Sequence, residues 1–594
     1  MLNKFAQKVV IVLIIILILL LLGVWRVLAV GQQVAGNIDA LVASIDNKGD
    51  SAVMTMDLAT WRTQLSTSAQ AWQTLSPWRI VPVLGEIQSM VADSFQQIDN
   101  ILANLQVLQR EYEKVQDKLI SEEDWSDWLN YVNGRSVIWQ PAIINIQNGL
   151  IRLSNDMANI PIWVIPVDKR EAWQQWQNNF AAVEKILAKT SDWAVLTPRL
   201  LGYPDSIKYL LLLQNHHEMR ATGGFIGNYG ILQLSQAKIV NFFIDDIYHL
   251  DSAAIGKWQQ TPPEPISRYL GVEQWYLRDA NWSPDWPTSA RQAINFYYGE
   301  GGQERVDGVL AFNPLLISDI LNLLGPVQIE GVWYAADNFT STLQYEVEQN
   351  YQARGASHWD RKDVISQLAD ILLNRFSNLS AAQLIQLVGA VVNNVEEKNV
   401  LLYLTQPEYQ SLWSKQPWSG AIVQTDGNYL MVVDSNMAAF KTNQYIDRSV
   451  DYQVSLPDNN TDKAQATVII TYKHNGTFSW DSTRYRTYTR VLVPEGAVLL
   501  NNSGAMANDR TNEVGKITVE HKYGKTIWGA FIAIEPGESG QLSFTYSLPM
   551  SVVDSLYWQS QPGMTDYLVL RVDDALWFDN QIKTDRTWGM SLTE

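Results

Sequence analysis

Arg220 lies in a polar, glycine-rich segment, Gln214–Gly230, that joins an apolar run at Tyr209–Leu213 to a second at Phe225–Leu234. Short apolar runs bounded by such turn chemistry read as buried strands, so Arg220 stands at a strand end, where loops carry function. A guanidinium there suits an anion, because its planar fork matches carboxylate or phosphate oxygens; pairing with the nearby Glu218 is the plainer use. Arg354, in the loop 353–359, and Arg361, in the helix after it, come from separate segments that can converge with Arg220 on one anion. Asp245, Asp246 and Asp251 follow the second apolar run closely enough for one or two of them, Asp245 and Asp246 first, to hold Mg²⁺ through oxygen, or else to form a solvated turn. His216, His217 and His249 lack the His-Glu-x-x-His spacing of a zinc site, and no Gly-Lys-Ser/Thr follows Gly223-Gly224-Phe-Ile-Gly227, which excludes a P-loop. The 24 tryptophans raise carbohydrate stacking; most should fill cores, with Trp275, Trp282 and Trp286 as the set expected at the surface.

These residues need a layered scaffold, and residues 196–433 read as an α/β domain in which strands and helices alternate. Val306–Phe312 is expected as a strand and Pro314–Leu324 as a helix with proline in its first turn. Gly325-Pro326 stops that helix before a strand at Val327–Ile329. Helices are predicted over Asn338–Tyr351 and Asp360–Phe376. Residues 31–195 form an extracytoplasmic helical region. Ile98, Ile101, Leu102, Leu105 and Leu108 give a packing stripe there, and Ser76–Gly85, with two prolines, is the break between two long helices. From 434 to 594 the texture changes to β-branched and aromatic runs divided by turns. Strands are expected at Asp451–Leu456, Ala466–Tyr472, Tyr485–Val493, Thr526–Ile534 and Gly540–Leu548, in an all-β sandwich of immunoglobulin-like type; further strands in Asp566–Leu592 are left unplaced.

Residues 1–30 are read as a cytoplasmic stub and a transmembrane helix. Val9–Trp25 is uncharged and apolar, the run continues past Arg26 to Val30, and about 20 residues span a bilayer. Lys4 and Lys8 precede it, so the positive-inside tendency predicts a single-pass cell-membrane protein with a cytoplasmic N-terminus and the bulk of the chain outside. Cleavage after Ala29 as a signal peptide is the competing reading; the apolar core is long for one, and Trp25-Arg26 makes a poor cleavage region. The absence of cysteine excludes a lipoprotein anchor, disulfides and thiolate chemistry. A net charge of −18 argues against nucleic acid as a partner.

Asn215-His-His-Glu218-Met-Arg220-Ala-Thr-Gly223-Gly224-Phe-Ile-Gly227, Asn281-Trp-Ser-Pro-Asp285-Trp-Pro287, the Val306-Asp307-Gly308-Val309 to Gly325-Pro326-Val327 unit and Asp434-Ser-Asn436 through Lys441-Thr442 together resemble the bacterial envelope family catalogued as domain of unknown function 4012. That family carries no established activity. More distantly, the α/β region is similar in layout to the LytR-CpsA-Psr phosphotransferases, single-pass proteins that move glycopolymers from a polyprenyl-pyrophosphate carrier to the cell wall. The resemblance implies catalytic roles for Arg220, Asp246, Arg354 and Arg361, with Gln367 a weaker match. Thr222, Ile244-Asp245 and Gln352 depart from its pattern, and the helix arginine before Gln367 is absent. It implies pyrophosphate held by guanidinium forks, with Mg²⁺ on Asp245 or Asp246, in a protein that binds or transfers a lipid-linked glycopolymer. The alternative is a non-catalytic surface or scaffold protein making protein or cell-wall contacts, and the sequence leaves open whether the domain is an enzyme.

Overall fold

The apolar stripe of the helical region finds its partners within a three-helix arrangement. A computed structural model describes residues 58–73, 82–121, 131–159 and, apart from short gaps, 195–589; the apolar run 9–30 lies outside them. Among the described residues no helix is long and apolar enough to cross a membrane. Residues 1–200 and 201–594 are two separate units. In the first, α1 (Leu58–Gln73), α2 (Pro82–Ser121) and α3 (Ser136–Ala158) bracket the expected break: α1 ends before it, and α2 opens on a proline whose missing N–H has no helical acceptor to lose. Leu102 packs with Leu58 and Leu65, while Ile101 packs with Ile146 and Leu150, so adjacent residues of one turn of α2 face different helices. A Cβ on Gly149 would meet Ile101 at 2.8 Å, which keeps α3 close against α2.

The second unit begins with a mixed five-stranded sheet. β1 (Ile207–Asn215), β2 (Phe225–Ser235) and β3 (Lys238–Asp246) form an antiparallel meander, β4 (Gly308–Phe312) joins β1 in parallel, and β7 (Val400–Leu404) closes the far edge, in the order β3-β2-β1-β4-β7. The tight β2–β3 turn takes Gln236 and Ala237 to φ 51° and 63° without glycine. Their N–H groups donate to Gly202 and Leu201 carbonyls, which offsets the left-handed strain. Between and after these strands lie α4 (Ile247–Ala254), α5 (Glu264–Leu270), α6 (Trp286–Gly299), α7 (Pro314–Leu324), a small hairpin of β5 (Val327–Ile329) and β6 (Val332–Tyr334), α8 (Phe339–Glu348), α9 (Asp363–Phe376), α10 (Ala381–Glu396) and α11 (Pro407–Ser414). Leu210, Leu212, Ile226, Val309 and Ala311 pack with Trp286, Phe296 and Tyr297, which makes one core from sheet and helices.

The C-terminal part is a larger β sandwich than expected. β8 (Asn428–Asn436), β9 (Ile446–Ser455), β10 (Ala464–His474), β11 (Tyr485–Pro494), β12 (Val498–Ser503), β13 (Thr518–Lys522), β14 (Lys525–Ile534), β15 (Ser539–Leu548), β16 (Ser555–Trp558), β17 (Asp566–Val572), β18 (Ala575–Ile582) and β19 (Arg586–Gly589) fill two six-stranded sheets. Their orders are β12-β15-β10-β9-β17-β18 and β13-β14-β11-β8-β16-β19, and residues of both, such as Val468 and Trp528, share one core. The boundary expected at 434 falls inside β8. The immunoglobulin-like expectation also gives way: the tail inserts β16 and β17 parallel to β8 and β9, whereas immunoglobulin sheets are antiparallel.

Candidate functional site

Gly223 and Gly224, both at positive φ, shape the loop that carries Arg220. A Cβ on Gly224, at φ 148°, would lie 2.4 Å from the Asn215 carbonyl, so only glycine lets β2 start this close to the end of β1. Asn281 donates to the Gly224 carbonyl at 2.8 Å and to Thr222 Oγ1 at 2.9 Å, and Gln214 donates to the same hydroxyl. Asp285 caps α6 and accepts from the Ile422 N–H. The Asn281–Pro287 motif thus ties loop, helix and sandwich approach together. Trp286 within it is fully buried, Trp275 packs edge-on against Phe296, and Trp282 lies under Arg490 at 4.1 Å. The expected surface set is therefore core and seam; Trp333, Trp359, Trp480 and Trp577 are the exposed tryptophans among the described residues.

Arg220 is buried at the seam between the α/β domain and the sandwich. Its Nε and Nη2 both donate to Asp279 Oδ1, at 3.3 and 3.2 Å, and Nη1 donates to the carbonyls of Met219 and Asn436, at 3.2 and 2.7 Å. From Asp279 a chain of charges runs inward. Arg278 lies 3.7 Å from Asp279 Oδ2 and donates to Asp251 Oδ2 at 2.7 Å, with the Tyr248 and Tyr276 rings against its guanidinium. Asp251 Oδ1 and Glu300 Oε2 are both buried without a donor. Burial, then the Asp251 charge, pushes the Glu300 carboxyl up to about 9, so Glu300 keeps its proton and donates it to Asp251. One proton satisfies both oxygens.

Asp246 ends β3 and begins α4. Its Oδ1 caps the Tyr248 N–H at 3.1 Å and accepts from Lys362 Nζ at 2.8 Å, and Lys362 also donates to the Gly227 carbonyl at 2.6 Å. Burial lowers the Lys362 pKa, with Asp246 opposing it. Asp245, one residue back on the strand, accepts instead from its neighbour's N–H at 2.8 Å and pairs with His249 Nδ1 at 2.6 Å. Adjacent strand residues face opposite sides, and the two carboxylates are engaged separately. Among the described residues no group of three or more histidine or acidic side chains is arranged around a metal position.

Arg361 pairs with Glu348 at 2.6 Å, and Lys441 from the sandwich bridges Glu348 at 3.3 Å and Glu218 at 3.1 Å. Desolvation opposes ionisation of Glu348, yet Lys441 and Arg361 outweigh it and hold the carboxyl below its usual range. Arg354 is held apart from this group by Glu346 at 3.2 Å and Glu330 at 3.5 Å, although one of its N–H groups reaches the Arg361 carbonyl.

Arg278 and Lys362 both lie over the Tyr248 ring, each 5.4 Å from its centroid, and burial above all raises that phenol, so the ring marks where the charges gather. Arg220 and Arg361 lie around this centre through their partners, Arg354 does not, and the cation on Asp246 is Lys362, not an arginine. Glu218 pairs with Lys441, not with Arg220. Sequence reasoning passed over Lys362, Arg278, Asp279 and Glu348; Lys362 beside Arg361 and Lys441 in the Asp434–Thr442 motif were the available signals. His216 and His217, pushed down by burial to about 3 and about 4, stay neutral within the loop.

Residues 205–347 match the family described as a protein of unknown function, DUF4012. The match covers β1 to nearly the end of α8, hence the Arg220 loop, the Asn281–Pro287 motif and β4 with α7. No curated protein matches the chain. Among solved structures, an M1 zinc metallopeptidase from Deinococcus radiodurans is similar over 22% of this chain and 32% of its own, at 13% identity and a TM-score of 0.13. A two-domain M1 zinc metallopeptidase mutant bound to L-tryptophan gives the same identity and TM-score over 33% of its length. The chain spans about a third of these proteins.

Proposed function

We propose that this chain is a membrane-tethered, extracytoplasmic envelope protein whose α/β domain and sandwich act together as a non-catalytic scaffold for wall or protein contacts. The observation that carries this reading is the charge balance at the seam. Arg220, Arg278, Arg361, Lys362 and Lys441 face Asp279, Asp251, Glu348, Asp246 and Glu218, so five cations meet five carboxylates. A pyrophosphate brings several negative charges and would have to displace those carboxylates. Breaking a buried pair by removing one partner costs roughly 3–5 kcal/mol, a penalty that each displaced carboxylate would set against binding.

In this reading the layout shared with LytR-CpsA-Psr phosphotransferases is that of an ancestor whose anion pocket has been closed by acidic partners. Transfer of a lipid-linked glycopolymer would require the pairs to open and a divalent cation to enter beside Asp245 or Asp246. The tether rests on the run Val9–Val30, preceded by Lys4 and Lys8. Full-length protein extracted in mild detergent is expected to carry no polyprenyl phosphate by lipid mass spectrometry, and to show no magnesium-dependent binding of inorganic pyrophosphate. A stoichiometric polyprenyl pyrophosphate in that extract would replace the scaffold reading with the transfer one. A reporter fused after Glu594 should be active only if it works outside the cytoplasm; cytoplasmic activity would overturn the topology.

A further inference from the structure

A cleft of about 380 Å³ opens where α4 and the end of α6 meet the β2–β3 pair. Its polar lining consists of Tyr229, Asp245, His249, Lys257 and Glu300. Leu250 and Ala254, with the Gly299 and Gly301 backbone, supply an apolar part. The volume falls at the lower end of the range of small-molecule sites, about 300–1,000 Å³.

The polar groups are held in place by the fold. Asp245 lies 2.6 Å from His249 Nδ1, an arrangement that fixes the proton of a neutral imidazole on Nδ1 and leaves Nε2 as an acceptor. Glu300 is anchored by the Leu277 N–H at 2.7 Å and keeps its proton toward Asp251, so it lines the cleft without adding charge. One carboxylate and one ammonium remain, Asp245 and Lys257, and they cancel. Two aromatic rings flank these walls. Trp359, 51% exposed, stacks on His249 with centroids 5.6 Å apart, and Phe243, 46% exposed, meets Tyr229 edge-on at 6.1 Å.

This combination selects among ligand classes. A hydrocarbon chain would desolvate the Asp245–His249 pair and Lys257 and offer none of them a hydrogen bond in return. An anion or a cation would find no net charge to hold it. A sugar ring has hydroxyls that both donate and accept, on a ring whose C–H faces pack against apolar and aromatic surfaces. We propose that the Asp245–His249 cleft is a saccharide-binding subsite that takes one neutral or N-acetylated sugar ring. The cleft does not depend on the seam being closed to pyrophosphate, so the two proposals stand or fall separately.

The test uses full-length protein in detergent micelles and saturation-transfer NMR with a panel of free glucose, galactose, N-acetylglucosamine and N-acetylgalactosamine. At least one sugar should bind saturably at millimolar concentration. Asp245→Asn should weaken it by roughly tenfold or more. Ala253→Trp, which fills the open side of the cleft and leaves every polar group in place, should abolish it. Near-ultraviolet circular dichroism identifies any variant that has lost its fold, and Ala253→Trp then decides alone. No binding of any panel member to the wild-type protein, or binding unchanged in Ala253→Trp, overturns the proposal. Retained polyprenyl pyrophosphate with the sugar results intact would overturn only the scaffold reading.

Discussion

Arg220 and Asp279 meet through a single oxygen, with Nε at 3.3 Å and Nη2 at 3.2 Å from Asp279 Oδ1, while the second oxygen faces Arg278. The carboxylate is therefore a bridge between the arginine that holds the sandwich and the arginine that reaches Asp251. Because Arg220 also donates to the Asn436 carbonyl of β8, this one aspartate orders a loop of the α/β domain and its junction with the next domain.

Removing Asp279 leaves two buried guanidinium groups without their shared counter-charge. Asp279→Ala should destabilise the second unit by roughly 3–5 kcal/mol, the usual result of breaking a buried pair from one side. Chemical unfolding of the full chain, followed by tryptophan fluorescence, measures it. A change below about 1 kcal/mol would mean that solvent reaches the seam and screens the pair.

Glu300 makes stability depend on pH in a fixed direction. Its folded carboxyl is pushed up to about 9, while in the unfolded chain it ionises near the ordinary value of about 4.3. Below the unfolded value both states hold the proton. Between the two values only the folded state holds it, so stability falls as pH rises toward about 9 and the loss then levels off. The thermal midpoint should decline from about pH 6 to about 9, and Glu300→Gln, which keeps the acceptor for Leu277 and a donor for Asp251, should flatten the decline. Superimposable pH profiles for the two proteins would remove Glu300 from the proton account.

Asp246 separates two roles by substitution. Asp246→Asn keeps a capping oxygen for the Tyr248 N–H but leaves Lys362 buried without its carboxylate; Asp246→Ala loses the cap as well, at an added cost of about 1 kcal/mol. Pairing Asp246→Asn with Lys362→Met should recover stability, since the uncompensated ammonium goes with the lysine. A double-mutant cycle under denaturant reads this, and Mg²⁺ should not shift any of the four midpoints. A magnesium-dependent midpoint in the wild type alone would return Asp246 to the role of a metal ligand.

The sequence showed its periodic parts more clearly than its pairs. β1, β2, α7 and β5 lie where apolar runs and proline or glycine punctuation put them, and the five strands expected in the sandwich are all present. β8 escaped because it is buried on both faces even though it ends in Asp434-Ser-Asn436. Asp434 accepts from Arg448, Tyr472 and Thr489, partners that lie on three other strands. Such compensation is visible only in three dimensions. The anion clamp met the same difficulty, since Asp279 is 59 positions from Arg220 and Lys362 is 116 from Asp246. From sequence Asp245 and Asp246 stand together as candidate Mg²⁺ ligands; their separate engagement follows once β3 is known to end there, because neighbouring residues of a strand point to opposite faces.

Arg490 tests how the seam tolerates a cation without a carboxylate. It is buried, donates to the Trp282 carbonyl at 2.8 Å and lies 4.1 Å from that ring's centroid; burial lowers its pKa to about 10. An aromatic face replaces part of the lost hydration, and cation–π contacts of this desolvated kind contribute about 2 kcal/mol. Arg490→Met removes charge and counter-surface together and should change stability little, within about 1.5 kcal/mol, as an apolar replacement of similar volume can offset the lost contact. Trp282→Ala strips the ring from a cation that stays buried and opens a cavity, and should cost roughly 3–5 kcal/mol. Combining the two should cost less than their sum, because the cation that suffers from the missing ring has gone. Strict additivity in unfolding experiments would mean that Arg490 and Trp282 stabilise the seam independently, and that the stacking contributes nothing of its own.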